Sequence, residues 1–214
     1  MFPDCKTYTE VYDKYNCLQP GTIMAHCIYL TADEISIIKE RGAGISHCPN
    51  SNIALRSGLI KLRDLLQRDV KVGLGTDVAG GNSFSILNAI RFAITVSNIN
   101  SALSLETPDS HISTAEAFYL ATLGGARVLG LQDKIGSLEP GKIFDALLID
   151  PYAEGSPFDV FEQDTPIEIF NKFVFLGDDR NIDTVFVQGQ AVLQKSPAID
   201  ANSKPQQKKR KAEE

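Results

Sequence analysis

The sequence predicts an α/β fold, in which a short parallel sheet packs against helices and a β-rich segment follows. Between residues 22 and 98, a short apolar strand followed by a helical pattern occurs three times in succession. After residue 142 the pattern is instead mostly that of strands, and these end in a hairpin that turns near Gly189. Consecutive strand–helix units favour a parallel sheet with helices outside it. Because the strands are short, the sheet is either half of a barrel or a small open sheet.

The first two units each place a histidine on an apolar strand. Thr22–Leu30 is predicted to be a strand buried on both faces, and it carries His26. The stretch Thr31–Glu34 follows with the capping-box pattern that opens a helix. The second predicted strand spans residues 43–49 and carries His47.

The third unit contains the glycine-rich stretch around which the chain is organised. Turn-forming residues cluster at Pro49–Asn52, and leucines recur at helical spacing over Leu59–Leu66, so we expect a turn and then a helix. The apolar strand Val70–Leu74 then runs into a glycine-rich turn that holds Asp77. A further helix pattern begins at Ser83.

His26, His47 and Asp77 are all expected at the carboxyl ends of predicted parallel strands, the edge where α/β barrels carry their active sites. Imidazole and carboxylate groups together suit a zinc site. A catalytic zinc normally has three protein ligands and a water, so these residues suggest a hydrolytic metal site with ligands missing. The alternatives are that Asp77 only caps its turn and that the histidines are core residues.

The rest of the chain is predicted from similar local signals. We expect a loop over Asn100–Pro108, a helix from the Ser113–Glu116 capping box to Gly130 with an interruption at Gly124–Gly125, a strand over Phe144–Asp150, a short helix over Ile167–Phe173 and a hairpin over Val185–Leu193. Residues 196–214 carry few apolar side chains and are predicted to be a disordered tail.

Composition excludes several classes of function. The formal net charge of −6 argues against a general nucleic-acid binder. None of the four cysteines has CxxC spacing, so neither a zinc ribbon nor a thioredoxin-type site is indicated. Neither a signal peptide nor an apolar run long enough for a bilayer is evident, and we expect a cytoplasmic protein. The basic run Lys208–Lys211 also matches a nuclear-import signal, although a solvated tail is the commoner explanation.

Several motifs resemble those of one known family. Met24–His26, His47–Asn52 and Gly73–Gly81 resemble the last three barrel strands of the amidohydrolase superfamily, and Ala121–Ala126, Gly136–Asp150 and Leu176–Ile182 resemble its C-terminal region. Within that superfamily the stretches HCPNSN, GLGTDVAGG, ATLGGA and FLGDDRNI are similar to the guanine deaminases of animals. The resemblance extends from about Tyr8 to Leu193.

The resemblance implies a fold. Residues 1–132 would form the C-terminal part of a TIM-like (β/α)8 metal-dependent hydrolase barrel, with its last three βα units and the helices that follow. Residues 133–195 would supply strands of the small β-sandwich domain, and residues 196–214 would be the tail.

The resemblance also implies an activity in guanine catabolism: one zinc ion supports the hydrolysis of guanine to xanthine and ammonia. Asp77 matches the last metal ligand of the family, which also carries the proton from the water to the leaving group. His26 matches the histidine that orients the hydroxide and stabilises the tetrahedral species. His47 and Asn50 are implied, more weakly, to contact the substrate beside Asp77 and His26.

The sequence departs from the family because it contains no HxH pair and no His-x-x-Glu. The resemblance therefore implies that the other zinc ligands and the proton-donating glutamate lie upstream of Met1, and that this chain alone is inactive. The complete enzyme would be a homodimer that binds neither nucleic acid nor membranes. The alternatives are a non-catalytic fragment that acts as an interaction or oligomerisation module, and a related amidohydrolase acting on another heterocycle.

Overall fold

The computed structural model describes residues 2–103 and 111–195. The chain divides into two compact units between Lys142 and Ile143, whereas the sequence placed a boundary after residue 132. The helices and strands of the first unit are α1 (Tyr8–Lys14), β1 (Ile23–Ala25), α2 (Ala32–Glu40), β2 (Gly44–His47), α3 (Pro49–Ala54), α4 (Leu62–Gln67), β3 (Lys71–Leu74), α5 (Ile86–Leu103), α6 (Thr114–Tyr119) and α7 (Gly125–Leu129).

The three predicted strands of the first unit form one parallel sheet in the order β1–β2–β3, which confirms the prediction of a parallel sheet. Ile45 lies opposite Val72, and because paired residues face the same way, these two buried side chains share one face of the sheet. Gly44 and Gly73 belong to the other face.

Glycines on that other face allow α7 to pack directly on the sheet. A Cβ atom on Gly44 would lie 2.8 Å from Val128 Cγ1, and one on Gly73 would lie 2.8 Å from the Cα of Gly125. These separations are too short for any side chain, so the close contact between helix and sheet depends on glycine at both positions.

Two predicted elements of the first unit have different bounds in the structure. The strand predicted over Thr22–Leu30 ends at Ala25, because His26 and Cys27 adopt left-handed backbone with φ of 66° and 52°. The turn predicted at Pro49–Asn52 is instead the start of α3, where Pro49 occupies the first turn, a position that tolerates its missing N–H.

The helix predicted from Ser83 begins at Ile86 and continues to Leu103, so residues 100–103, predicted to belong to a loop, are helical. The Asn100 side chain connects this helix to the segment before α4, through a hydrogen bond of 2.7 Å that its Nδ2 donates to the carbonyl of Ile60. Residues 104–110 lie outside the described part of the chain.

Glycine does not interrupt the helical path after α6. A π-helical turn over Leu120–Gly124 links α6 to α7, so Gly124–Gly125 lies within a continuous helical path rather than at a break. The predicted end at Gly130 is confirmed, since this residue has φ of 70° at the helix C-terminus. The capping boxes at Thr31 and Ser113 are also confirmed.

The second unit contains β4 (Ala146–Ile149), α8 (Pro166–Leu176), β5 (Ile182–Val187) and β6 (Gln190–Gln194). Its described residues form one antiparallel three-stranded sheet, β4–β5–β6, with the predicted hairpin turning at Gly189, whose φ is 80°. The β-sandwich stays a prediction, and the tail with Lys208–Lys211 lies outside the described residues. Among the described residues, no helix is both long and apolar enough to cross a membrane.

Candidate active site

The three predicted site residues lie at one edge of the parallel sheet. His26 directly follows β1, His47 ends β2, and Asp77 lies in the loop after β3. His26 Nε2 is 3.6 Å from Asp77 Oδ2, and the two side chains are 38% and 39% exposed. The structure therefore brings His26 and Asp77 together at a position that a small molecule can reach.

Both members of this pair have unusual backbone conformations. The φ angles of His26 and Asp77 are 66° and 47°, in the left-handed region that L-residues seldom occupy. Each such residue costs on the order of 1–3 kcal/mol and persists only where surrounding contacts hold it. Strained residues of this kind concentrate at active sites and ligand clamps.

The contacts that hold the pair come from two consecutive residues of α3. Ser51 Oγ donates a hydrogen bond of 2.6 Å to Asp77 Oδ2. Asn52 Oδ1 lies 2.8 Å from His26 Nδ1. Ser51 and Asn52 are both buried. Local sequence signals predicted no role for Ser51 and Asn52, and only their place in the HCPNSN stretch pointed to them.

Glycines close the loop around the Asp77 carboxylate. A Cβ on Gly80 would lie 2.7 Å from Asp77 Oδ2 and 3.0 Å from Ser51 Oγ. A Cβ on Gly81 would lie 2.4 Å from the carbonyl oxygen of Thr76. The loop can therefore approach the carboxylate this closely only because two glycines follow one another.

Asn50 and His47 are buried in this structure. Asn50 Nδ2 donates to Asn88 Oδ1 at 2.8 Å, and Asn50 Oδ1 accepts from the backbone N–H of Asn82 at 3.3 Å. Asn50 thus joins α3 to the chain that follows the Asp77 loop. Whether it also contacts substrate stays a prediction.

His47 is fully buried, and neither of its ring nitrogens has a hydrogen-bond partner among the described residues. Burial, and then the charge of His26, lower the pKa of His47 to about 3, so its imidazole is neutral at physiological pH. Asn52 Nδ2 is likewise buried and has no hydrogen-bond partner in the described part of the chain.

A cavity of about 300 Å³ adjoins the loop that follows His26, but His26 and Asp77 are not among its lining residues, which are Cys27, Ile28, Tyr29, Leu30, Ile35, Leu59, Ile60, Lys61, Asp64 and Leu65. Burial, and then the charge of Glu34, raise the pKa of Cys27 to about 11. The Cys27 thiol is therefore protonated at neutral pH and is a poor nucleophile.

The described residues supply only part of a zinc site. A carboxylate and an imidazole are ordinary zinc ligands, and Asp77 and His26 present one of each. A catalytic zinc site normally has three protein ligands. Within residues 2–103 and 111–195, no group of three or more His, Cys, Asp or Glu side chains is placed to hold a metal ion. Asp77 and His26 therefore do not form a complete zinc site by themselves.

Comparison with known proteins identifies the same family as the sequence motifs. A guanine deaminase of Mus musculus is 49% identical over 203 residues, which are 93% of this chain and 44% of that protein. The structure of guanine deaminase from C. acetobutylicum, with guanine in its active site, matches with a TM-score of 0.79 and 37% identity over 88% of this chain and 43% of that one. A zinc-bound adenosine deaminase from Xanthomonas campestris matches with a TM-score of 0.73 and 27% identity, over 86% of this chain and 40% of that one.

This chain therefore spans less than half of the length of the relatives that it matches. The sequence model of the Amidohydrolase family matches residues 2–192, which is most of the chain. The chain belongs to the amidohydrolase family.

Proposed function

We propose that this amidohydrolase-family chain is the part of a guanine deaminase that carries the proton-transferring carboxylate and its histidine partner. The observation that carries the proposal is the 3.6 Å approach of His26 Nε2 to Asp77 Oδ2 at the carboxyl edge of the parallel sheet. The choice of guanine is supported by the guanine deaminases of Mus musculus and C. acetobutylicum, which this chain resembles along most of its length.

The overall reaction consumes one water and one guanine and releases xanthine and ammonia. The water oxygen forms a bond to the ring carbon that bears the amino group, and the bond from that carbon to nitrogen breaks. Asp77 accepts a proton from the attacking water and delivers it to the departing nitrogen, as a general base and then a general acid. His26 Nε2 accepts a hydrogen bond from the water and orients it toward the ring carbon.

We assign Asp77 as one ligand of a single zinc ion, with the remaining ligands and the proton-donating glutamate outside this sequence. When bound, the zinc ion would lower the pKa of a coordinated water enough for attack at neutral pH. The resemblance of the chain to a zinc-bound deaminase supports this assignment. His47 and Asn50 remain weaker candidates for contact with guanine.

The same proposal includes the substrate class, the oligomeric state, the location and the barrel of the complete enzyme. The substrate is a small molecule, the complete enzyme is a homodimer, and its place of action is the cytoplasm. The barrel is a TIM-like barrel to which β1, β2 and β3 contribute the last three strands. Lys208–Lys211, outside the described residues, would direct the protein to the nucleus only if the basic run is recognised.

The experiment that tests the function joins this chain to the preceding part of the Mus musculus guanine deaminase. Ammonia release is measured with guanine, adenosine and a triazine as substrates, and zinc content is measured in parallel. Turnover of guanine in preference to the other two supports the proposal. A folded, zinc-loaded chimera that prefers adenosine or the triazine, or that turns over nothing, contradicts it.

The same material tests a non-catalytic role. In the described structure, β1 and β3 each have only one neighbouring strand, so both edges of the sheet can pair with another chain. A chain that binds the intact Mus musculus enzyme while its chimera remains inactive would favour an interaction or oligomerisation module. Turnover of guanine by the chimera would argue against that alternative.

A further inference from the structure

The helix α3 follows the central strand of the parallel sheet. β2 ends at His47, α3 begins at Pro49, and the flanking strands β1 and β3 lie on either side of β2. Consecutive helical residues are about 100° apart around the helix axis. Two neighbouring side chains of α3 can therefore reach toward opposite flanking strands.

Ser51 and Asn52 do so. Asn52 contacts His26, which follows β1, and Ser51 contacts Asp77, in the loop after β3. Both α3 residues are almost completely buried, with exposures of 0% and 2%. On the α3 side these hydrogen bonds are therefore shielded from water, and each contact restricts the orientation of its partly exposed partner.

The contact with Asn52 selects one tautomer of His26. The amide oxygen of Asn52 can only accept a hydrogen bond, so the atom that faces it at 2.8 Å must carry the proton. In the neutral imidazole the proton is then on Nδ1 and not on Nε2, and Nε2 is the atom that faces Asp77. The opposite tautomer would place two lone pairs against each other at this 2.8 Å contact.

The contact with Ser51 fixes the orientation of the Asp77 carboxylate. The Ser51 hydroxyl donates to Asp77 Oδ2, which reduces the rotation of the carboxylate about its own axis. Gly80 allows this position of the carboxylate, because a Cβ at residue 80 would lie only 2.7 Å from that oxygen.

We propose that α3 is a positioning helix, in which Asn52 holds His26 with its proton on Nδ1 while Ser51 holds the Asp77 carboxylate. The inference deepens the proposed function and rests on it for the meaning of the pair, since His26 Nε2 must be unprotonated to accept a hydrogen bond from the attacking water. Asn52 and Ser51 act through their partners and do not contact the reacting atoms.

The test measures which ring nitrogen of His26 carries the proton. The chimera with the preceding part of the Mus musculus guanine deaminase is labelled with 15N-histidine, and its histidines are resolved by 15N spectra at neutral pH, in solution or in the solid state. The His26 signals are identified by their loss in His26→Gln. In the unaltered chimera we expect a protonated Nδ1 and an unprotonated Nε2 at His26.

Two substitutions at Asn52 then separate the effect of its hydrogen-bond acceptor from the effect of its packing volume. Asn52→Leu removes the acceptor at similar volume, and we expect the ratio of Nδ1–H to Nε2–H forms of His26 to fall about tenfold. Asn52→Asp keeps an acceptor in place and should retain the Nδ1–H form. The matched control is Asn50→Leu, which alters the same helix at an equally buried asparagine that does not contact His26. It should retain the Nδ1–H form.

An Nε2–H form of His26 in the unaltered chimera would overturn the proposal without any variant. So would a folded Asn52→Leu chimera that keeps the Nδ1–H form. If Asn52→Leu does not fold, the spectra of the unaltered chimera and of Asn52→Asp provide the test. Absence of the Nδ1–H form of His26 in either of them contradicts the proposed role of Asn52. The measurement needs neither zinc nor guanine, so a failure of guanine turnover in the chimera leaves its result intact.

Discussion

Ser51 Oγ donates a hydrogen bond of 2.6 Å to Asp77 Oδ2, a residue 26 positions later in the chain. The next residue, Asn52, contacts His26, a residue 26 positions earlier. One short helix therefore connects the loops that follow both flanking strands of the sheet. Because the backbones of His26 and Asp77 are both left-handed, these two hydrogen bonds also help to offset the cost of the local conformation.

The first prediction concerns the carboxylate. In the chimera with the Mus musculus enzyme, Asp77→Asn should abolish guanine turnover and weaken zinc binding, because the change removes a charged ligand and the proton carrier together. The comparison variant is His26→Ala, which should reduce the rate while largely sparing zinc. Near-normal activity and metal content in Asp77→Asn would show that the assignment of Asp77 is wrong.

The second prediction concerns the space around that carboxylate. Gly80→Ala places a methyl group 2.7 Å from Asp77 Oδ2 and 3.0 Å from Ser51 Oγ, so the carboxylate must move. Displacement of a catalytic group by about 1 Å can reduce the rate by about 100-fold, and we expect a reduction of that order in kcat of the chimera. Ser51→Ala, which removes the hydrogen bond without adding bulk, should reduce kcat in the same direction but by less. An unchanged rate in Gly80→Ala would mean that the carboxylate position is not critical.

The third prediction concerns the contact of α7 with the sheet. Gly73→Ala should lower the free energy of unfolding by about 1–3 kcal/mol, because its Cβ would lie 2.8 Å from the backbone of Gly125. Gly125→Ala is the matched control: its φ of −59° is helical and its Cβ meets no atom closer than 3.6 Å. That variant should raise stability by up to about 1 kcal/mol. Denaturant unfolding of both variants distinguishes the two sites.

The fourth prediction is a pH dependence of stability. Arg63 donates two hydrogen bonds to Glu116. These bonds are the main reason that the pKa of Glu116 falls from 4.5 to about 2; burial acts in the opposite direction, and hydrogen bonds from Ser113 lower the pKa further. A carboxyl group with a depressed pKa in the folded state contributes stability that is present above pH 4.5 and is lost as the pH falls toward 2.

Glu116→Gln removes the charge but keeps a side chain that can complete the capping box. The difference in unfolding temperature between this variant and the unaltered protein should be largest at neutral pH and disappear near pH 2. The Glu116 side chain is 38% exposed, so solvent screens the ion pair, and the free energy of unfolding should differ between the two proteins by about 1 kcal/mol or less. Asp64→Asn, which breaks an exposed helical pair with Arg68, should change stability by at most about 0.5 kcal/mol. A difference that persists at pH 2 would contradict the assigned pKa shift.

The fifth prediction is that the 214-residue chain alone does not deaminate guanine. Asp77, the one zinc ligand assigned within this sequence, cannot hold a tight zinc by itself, and the described sheet has unpaired edges at β1 and β3. We expect little bound zinc, broad thermal unfolding and a tendency to aggregate. The measurements are zinc stoichiometry, the width of the unfolding transition and ammonia release from guanine. A monomer with one tight zinc and a normal rate would contradict this prediction.

Local signals in the sequence were sufficient for most helices and strands. The capping boxes at Thr31 and Ser113, the helix end at Gly130 and the hairpin at Gly189 were all predictable, because each depends on residues only a few positions apart. Short apolar runs likewise located the three strands whose carboxyl ends carry the site.

The sequence by itself determined which residue types stand at the ends of those strands, since His26 and Asp77 each follow a recognisable apolar strand. Only the tertiary structure decided how they are held. The segment at Pro49–Asn52 looked like a turn, and nothing local indicated that Ser51 and Asn52 would each bond to a partner 26 residues away. Such contacts depend on the parallel pairing of three strands, which brings distant loops to one edge, and that pairing is a property of the folded chain as a whole.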